Sequence, residues 1–366
     1  MIDKTQILVI IPTFNSCGGM ESFIMNYYRH MDHSKVQLDF LTHNVTDNFY
    51  INEVNRYGSR VYRLPTFSIS SLKEIQNLYE EILNNKKYDV VHCNMANAAF
   101  LYLKIAKKHN IPLRILHSHQ DKAADTISHS IRNYPLLKIG KKYANLFLAC
   151  SKNAGDFLFK NDEYIILNNA IDYSKYSFDE KFRRKMRKEL NISSSTIVIG
   201  HTGRLCPQKN QSFLLKIVSH LIRNNNDILL LLIGDGQDEQ LLKNQVKELN
   251  IQNNVMFLGS RNDVNDLLQA MDVFVFPSIY EGLGISVLES QANGLPTICS
   301  NGVPLEANIS GDLIYMDLDD PIDKWVNVIQ NNLSRKLKVK LSPTYDIYRQ
   351  ANILENIYLN RGDKND

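Results

Sequence analysis

Cysteine is scarce in this chain of 366 residues, with five in all, an odd number, and no C-x-x-C pair. They sit in or beside apolar runs and read as free buried thiols of a reducing compartment, not as a disulfide framework. Excess charge is lacking too: a net charge of +3 is too small to argue for a nucleic-acid partner. No apolar stretch approaches the ~20 residues that a membrane-spanning helix needs. The early run "ILVII" is too short for a signal peptide and leads straight into "PTFN". No internal repeat or low-complexity segment stands out. A cytoplasmic protein is expected.

The little charge asymmetry there is favours the N-terminal half. Residues 1–172 hold 20 Lys and Arg against 16 acids and eight of the ten His, whereas the remainder holds 22 against 23. The length itself calls for two domains of roughly 150–200 residues. Short apolar runs alternate with helix-period stretches. In the first half the strand candidates are "QILVIIP", "VQLDFLT", "RVYRLP", "DVVHCN", "LRILHSH", "LFLAC" and "YIILNN". The pattern restarts with "TIVIGHTG", "ILLLLIGDG", "VMFLGS", "VFVFPS" and "PTICS". Strands apolar on both faces and alternating with helices predict parallel sheets covered on both sides. The α/β reading is two Rossmann-like domains, 1–172 and 173–341. A last helix within 342–366 starts at Ser342 and Pro343, carries the stripe Ile347, Ala351, Leu354 and Tyr358, and crosses back to the first domain.

Sheets of this kind bind ligands beyond the carboxyl ends of their strands, so loops after strands hold the chemistry. "TFNSCGGMES" places Gly18 and Gly19 where a helix begins, a place that suits an anion; an ordinary tight turn explains them as readily. In "HTGRLCPQKN", Arg204 and Lys209 suit the oxygens of a diphosphate, against the alternative of two solvated cations. "IGDGQDEQ" lacks the third glycine of a dinucleotide fingerprint and reads as a tight turn. "LRILHSHQ" puts His117 and His119 on one face of a strand end. They read as substrate contacts or charge stabilisers, or as core histidines with one hydrogen bond each. For zinc, no third ligand lies nearby in sequence.

The stretch "IYEGLGISVLESQANGLP" (279–296) carries Glu281 and Glu289 on either side of a helix start. Ser286 with Glu289 reads as a capping box, and Gly294 with Pro296 as the stop. Glu281 sits in the loop after a buried strand and has no such structural role.

Taken together, "GRLCPQKN" and "FPSIYEGLGISVLESQANGLPTICS" resemble the donor site of GT-B glycosyltransferases of the retaining family 4 type, with its E-x7-E motif. "NSCGGMES", "HSH", "CSKNAGDFL", "LNNAIDYSKY" and the Tyr-rich last helix extend the likeness over nearly the whole chain, toward enzymes of bacterial capsule and exopolysaccharide assembly. Ala170 departs from the Gly that many members have after Asn169. The resemblance implies a nucleotide-sugar donor, with UDP the expected nucleotide, and a glycan or lipid-linked saccharide acceptor. It assigns Arg204 and Lys209 to the diphosphate, Glu289 to the ribose, Glu281 to the sugar, and the backbone of Gly284, Ile285 and Ser286 to phosphate and sugar oxygens. Gly259, Ser260 and Arg261 would line the base, Gly18 and Gly19 would close over the diphosphate, and His119, with His117 beside it, would be the active-site histidine.

No D-x-D pair suited to a metal is present, and fixed cations with helix N–H groups can stabilise a leaving diphosphate, so no metal or other cofactor is expected. No nucleophile for a double displacement is evident. A sugar phosphorylase, a nucleotide-sugar epimerase and a non-catalytic partner subunit are the alternatives. "NYPLLKIGKKYANLF" (133–147) joins Leu136, Leu137 and Ile139 to Lys138, Lys141 and Lys142. It reads as a solvated helix face, with peripheral docking on an anionic membrane as the functional alternative.

Overall fold

The computed structural model describes residues 4–15, 19–68, 70–119, 135–224, 227–334 and 339–360. The chain forms two compact units, Met1–Ala170 with Ile347–Asp366, and Ile171–Asp346.

The first unit holds seven strands: β1 (Thr5–Thr13), β2 (Val36–Asn44), β3 (Val61–Arg63), β4 (Val90–Cys93), β5 (Leu113–Ser118), β6 (Leu146–Ala149) and β7 (Ile165–Ile166). Their order is β3-β2-β1-β4-β5-β6-β7, and every pair is parallel. β1 shows why. Ile7, Val9 and Ile11 enter one apolar layer while Leu8 and Ile10 enter the other. A strand buried on both faces needs a cover on both, which crossover helices supply. Helices Leu72–Asn85 and Ala99–Lys108 cover one face. Helix Gly19–Arg29 and the last helix, Ile347–Leu359, cover the other. Ile347, Ala351, Leu354 and Tyr358 are all buried there, Ile347 and Leu354 each contributing up to roughly 1.5–3 kcal/mol by leaving water. Ser342 and Pro343 open a 3-10 turn, Pro343–Tyr345, and the α-helix begins after it.

The second unit repeats the scheme with β8 (Ile197–Thr202), β9 (Ile228–Ile233), β10 (Val255–Gly259), β11 (Val273–Phe276), β12 (Thr297–Ser300) and β13 (Ile314–Met316). The order is β10-β9-β8-β11-β12-β13, again all parallel. Phe274 and Phe276 face one layer; Val273 and Val275 face the other, with Trp325. The sequence pattern does not announce β13, because three residues are too few to show a period. In each unit the strand order reverses once, beside β1 and β4 in the first and beside β8 and β11 in the second. Crevices beyond those strand ends are where such sheets bind ligands.

Candidate active site

In the second unit the two loops at the reversal are tied to each other. The chain leaves β8 through Gly203, Arg204 and Leu205, turns through Pro207–Lys209, and enters helix Gln211–Asn224. The chain leaving β11 runs alongside. Ile279 N–H donates to the Gln208 carbonyl at 2.8 Å, and Gln208 Nε2 donates to the Tyr280 carbonyl at 2.9 Å. Glu281 N–H donates to the Gly302 carbonyl beyond β12 at 2.9 Å. Gly302 has no alternative there, since an added Cβ would lie 2.3 Å from the Ile279 oxygen.

This frame brings Lys209 and Glu281 together. Lys209 Nζ lies 2.6 Å from Glu281 Oε1, with the side chains 17% and 7% exposed, and 4.7 Å from the centre of the Phe276 ring. So enclosed a pair is held in register, because either charge alone would be costly to leave unmatched. Arg204 is exposed, and its guanidinium has no partner among the described residues. Its carbonyl is fixed by Gln211 Nε2 at 2.9 Å. Gln211 is oriented by His201, whose Nδ1 donates to the Val275 carbonyl at 3.0 Å. Burial holds His201 down at about 4, so it is a neutral spacer.

The "IGDG" turn proves to serve this loop. An added Cβ on Gly234 would lie 2.2 Å from the Gly203 oxygen, and one on Gly236 would lie 2.2 Å from the Leu205 oxygen. Both glycines let the Gly203–Leu205 backbone pass directly over them.

The capping box read from Ser286 and Glu289 does not form. Helix Ile285–Ala292 starts one residue before Ser286, on Gly284 in the left-handed region (φ +80°), and no side chain caps it. The first-turn N–H groups of Ile285 and Ser286 are therefore open to a ligand oxygen. Glu289, one turn further in, accepts a hydrogen bond from the Tyr176 hydroxyl at 2.7 Å. Burial raises its carboxyl above the ordinary range, partly offset by that hydrogen bond and by Lys175. Tyr176 was not singled out from the sequence; a Tyr 113 residues before its partner leaves no local signal. The stop falls where expected, with Gly294 at φ +74° after Asn293. Gly259 ends β10 at φ +64°, Ser260 follows, and Arg261 is paired with Asp263 at 2.5 Å.

In the first unit, Gly18 lies outside the described residues. Gly19 opens its helix, and an added Cβ there would meet nothing within 4 Å. The buried Glu21 accepts a hydrogen bond from the Thr13 hydroxyl and ties that helix to the end of β1. At the carboxyl ends of β4 and β5 three imidazoles gather, His92 and His117 within the strands and His119 just after β5. His117 is fully buried, with Nδ1 3.0 Å from His92 Nε2. His92 Nδ1 lies 2.7 Å from the Tyr358 hydroxyl. His119 is half-buried, with Nε2 2.8 Å from Asn94 Oδ1. Burial lowers all three, His119 to about 4, His92 to about 3, and His117 well below the usual imidazole range. They are neutral at pH 7. His92 is a third histidine close in space but far in sequence. Its ring nitrogens are directed at His117 and Tyr358, and no metal-holding cluster occurs among the described residues.

Within 133–147, Leu137 is buried and Gly140 packs on Ala99. Lys141 pairs with Asp162 and donates to the Phe159 carbonyl at 2.9 Å. Lys138, Ile139 and Lys142 are exposed. No helix among the described residues is long and apolar enough to cross a membrane.

The family model for glycosyl transferases group 1 matches residues 182–313, and that for Glycosyltransferase Family 4 matches residues 17–175. EpsF of Bacillus subtilis (strain 168) is 30% identical over 335 residues, which span 89% of this chain and 87% of that protein. A UDP-Gal:alpha-D-GlcNAc-diphosphoundecaprenol alpha-1,3-galactosyltransferase of Escherichia coli is 27% identical over 323 residues, 82% of this chain and 84% of that one. Among solved structures, Anabaena Alr3699/HepE in complex with UDP matches with a TM-score of 0.73 at 18% identity, over 98% of this chain and 96% of that one. A glycosyltransferase from Rickettsia africae ESF-5 matches with a TM-score of 0.77 at 16% identity, over 99% and 100%. At those identities the structural likeness speaks for the fold.

Proposed function

The chain belongs to the group 1 glycosyltransferases of GT-B fold, and from that premise we propose that it moves a sugar from a UDP-sugar to a glycan or lipid-linked saccharide, with retention, in surface polysaccharide assembly. The observation that carries this reading is the enclosed Lys209–Glu281 pair in the same unit as the uncapped start of helix Ile285–Ala292. A UDP-Gal donor and a diphosphoundecaprenol acceptor in the name of the Escherichia coli relative support the choice of substrates.

In this proposal the donor diphosphate draws Lys209 away from Glu281 and engages the exposed Arg204. The N–H groups of Gly284, Ile285 and Ser286 take the remaining oxygens. Charge grows on the leaving diphosphate in the transition state, so groups fixed in advance stabilise that state more than the ground state. Glu289, already desolvated, accepts the ribose hydroxyls, and Gly259, Ser260 and Arg261 line the base. Glu281, freed from Lys209, faces the sugar as it gains positive charge. His119 contacts a substrate oxygen, with His117 behind it. No metal enters the scheme, so transfer should survive chelation. Docking on an anionic membrane through Lys138, Lys141 and Lys142 belongs to the same proposal, with flotation on anionic vesicles as its check.

The test is a screen of UDP-, GDP- and dTDP-sugars by thermal shift, followed by nucleotide release. A true donor at ~100 Kd stabilises the fold by roughly 2.7 kcal/mol. UDP release that depends on a saccharide acceptor supports transfer. UDP-sugar interconversion without release, or no nucleotide binding at all, overturns it.

A further inference from the structure

The buried imidazoles of the first unit fix one another's protons. His92 lies between the Tyr358 hydroxyl (2.7 Å) and His117 Nδ1 (3.0 Å). Each neutral ring has one N–H and one lone pair, so this chain of hydrogen bonds has only two orientations. If the Tyr358 hydroxyl donates to His92 Nδ1, His92 Nε2–H donates to His117 Nδ1. His117 then carries its proton on Nε2, the single atom of the chain without a partner among the described residues. Reversing the chain strands two groups: the Tyr358 hydroxyl proton, which has no other acceptor there, and the His117 Nε2 lone pair. The first orientation leaves less unsatisfied and is favoured. His119 is set separately. Asn94 Nδ2 points to the carbonyls of Ile10 and His92, so Oδ1 faces His119 Nε2 and must accept its proton. Phe23 packs edge-on against both rings at 76° and 77°, which holds their planes.

We propose that Tyr358 and Asn94 are positioning residues that lock His117 and His119 as Nε2–H tautomers, so that His119 Nδ1 is a standing acceptor for a sugar hydroxyl with the His117 N–H donor beside it. The two rings are 4.1 Å apart, centre to centre. The Tyr358 hydroxyl, on the last helix, thus has a chemical role beyond packing. The consequence for substrate rests on the transferase reading; the tautomers themselves do not.

The experiment is a long-range 1H–15N spectrum of the full chain labelled with 15N-histidine at pH 7, assigned with single His→Gln variants. His92, His117 and His119 are expected as single tautomers with a pyrrole-like Nε2 and a pyridine-like Nδ1. Tyr358→Phe, which keeps the ring, should mix the tautomers of His92 and His117 and leave His119 unchanged. Asn94→Leu should mix His119, lowering kcat while leaving KM for the nucleotide-sugar unchanged, and Asn94→Asp should restore the single form. An Nδ1–H form of His117 or His119 in the unmodified protein overturns the proposal, as does Tyr358→Phe leaving His117 in one tautomer. The spectrum needs no turnover, so its outcome and that of the transfer assay stand apart.

Discussion

Where the sheet of the first unit ends, three neutral imidazoles gather with an amide; where that of the second ends, a lysine and a glutamate are enclosed as a pair near an exposed arginine. Both units have the same parallel strand order up to the sixth strand, so topology does not explain the contrast. Desolvation does. Burial lowers His92, His117 and His119, and none of them pairs with a carboxylate among the described residues. Lys209 and Glu281 are enclosed together, each the other's counter-ion. A neutral array suits hydroxyl groups and a charged pair suits a diphosphate, which is the division that the proposed reaction requires.

The largest expected consequence is in pH dependence. The folded-state pKa values of His92, His117 and His119, and of His33 and His43, lie below that of the unfolded chain, mainly through burial. Below about pH 6.5 the unfolded state therefore binds more protons, and the stability present above that pH is lost as pH falls toward 4. Each such imidazole removes up to about 1.4 kcal/mol per pH unit. In the second unit burial lowers His201. Hydrogen exchange between pH 7 and 4.5 should show strands β4 and β5 losing protection much more steeply than β8 and β11. Equal slopes would break the comparison.

Next in size is Glu281→Gln, expected to lower transfer by about 10²–10³-fold, as for loss of one preorganised electrostatic contact. The ion pair adds a further expectation. With the carboxylate gone, Lys209 is free for the diphosphate, so calorimetry should find UDP bound more tightly; weaker binding would count against the exchange of partners.

Lys209→Met leaves Glu281 enclosed without its cation and should destabilise the second unit by about 3 kcal/mol. Adding Glu281→Gln should recover most of that in urea unfolding. No recovery would mean that the pair contributes little.

Glu289→Gln should weaken UDP binding by about 1.5–3 kcal/mol, the range for a hydrogen bond to a charged group. If Glu281→Gln weakens it equally, the two acids do not divide the donor between them. The smallest effect is expected at Gly19. Open space around its Cβ position means that Gly19→Ala should change the melting temperature little. A fall in transfer without a fall in stability would mark close approach of a ligand there.

Much of the scaffold was legible from residue pattern alone. All seven strands of the first sheet and five of the six in the second coincide with short runs picked out in the sequence. The signature is continuous in central strands such as β1, β4 and β11, which are buried on both faces, and weakest at β3 and β7, where residues are exposed. The stripe on the last helix follows from its period. Gly203 to Lys209, and the acids at 281 and 289, were visible as charges placed after strands, where solvated polar residues would otherwise need no fixed spacing.

What the sequence could not decide is which groups meet. Local rules made a capping box of Ser286 and Glu289, yet Gly284 in the left-handed region caps the helix two residues earlier and gives Glu289 to Tyr176. The glycines of "IGDG" looked like a turn signal; their reason is the backbone of Gly203 and Leu205 lying across them. Lys209 finds Glu281 across 72 residues, and His92 finds Tyr358 across 266. Periodicity records which face of an element leaves water, a property of neighbours along the chain. Charge pairing, tautomers and close backbone approach are set by neighbours in space, and only the packed sheet brings those together.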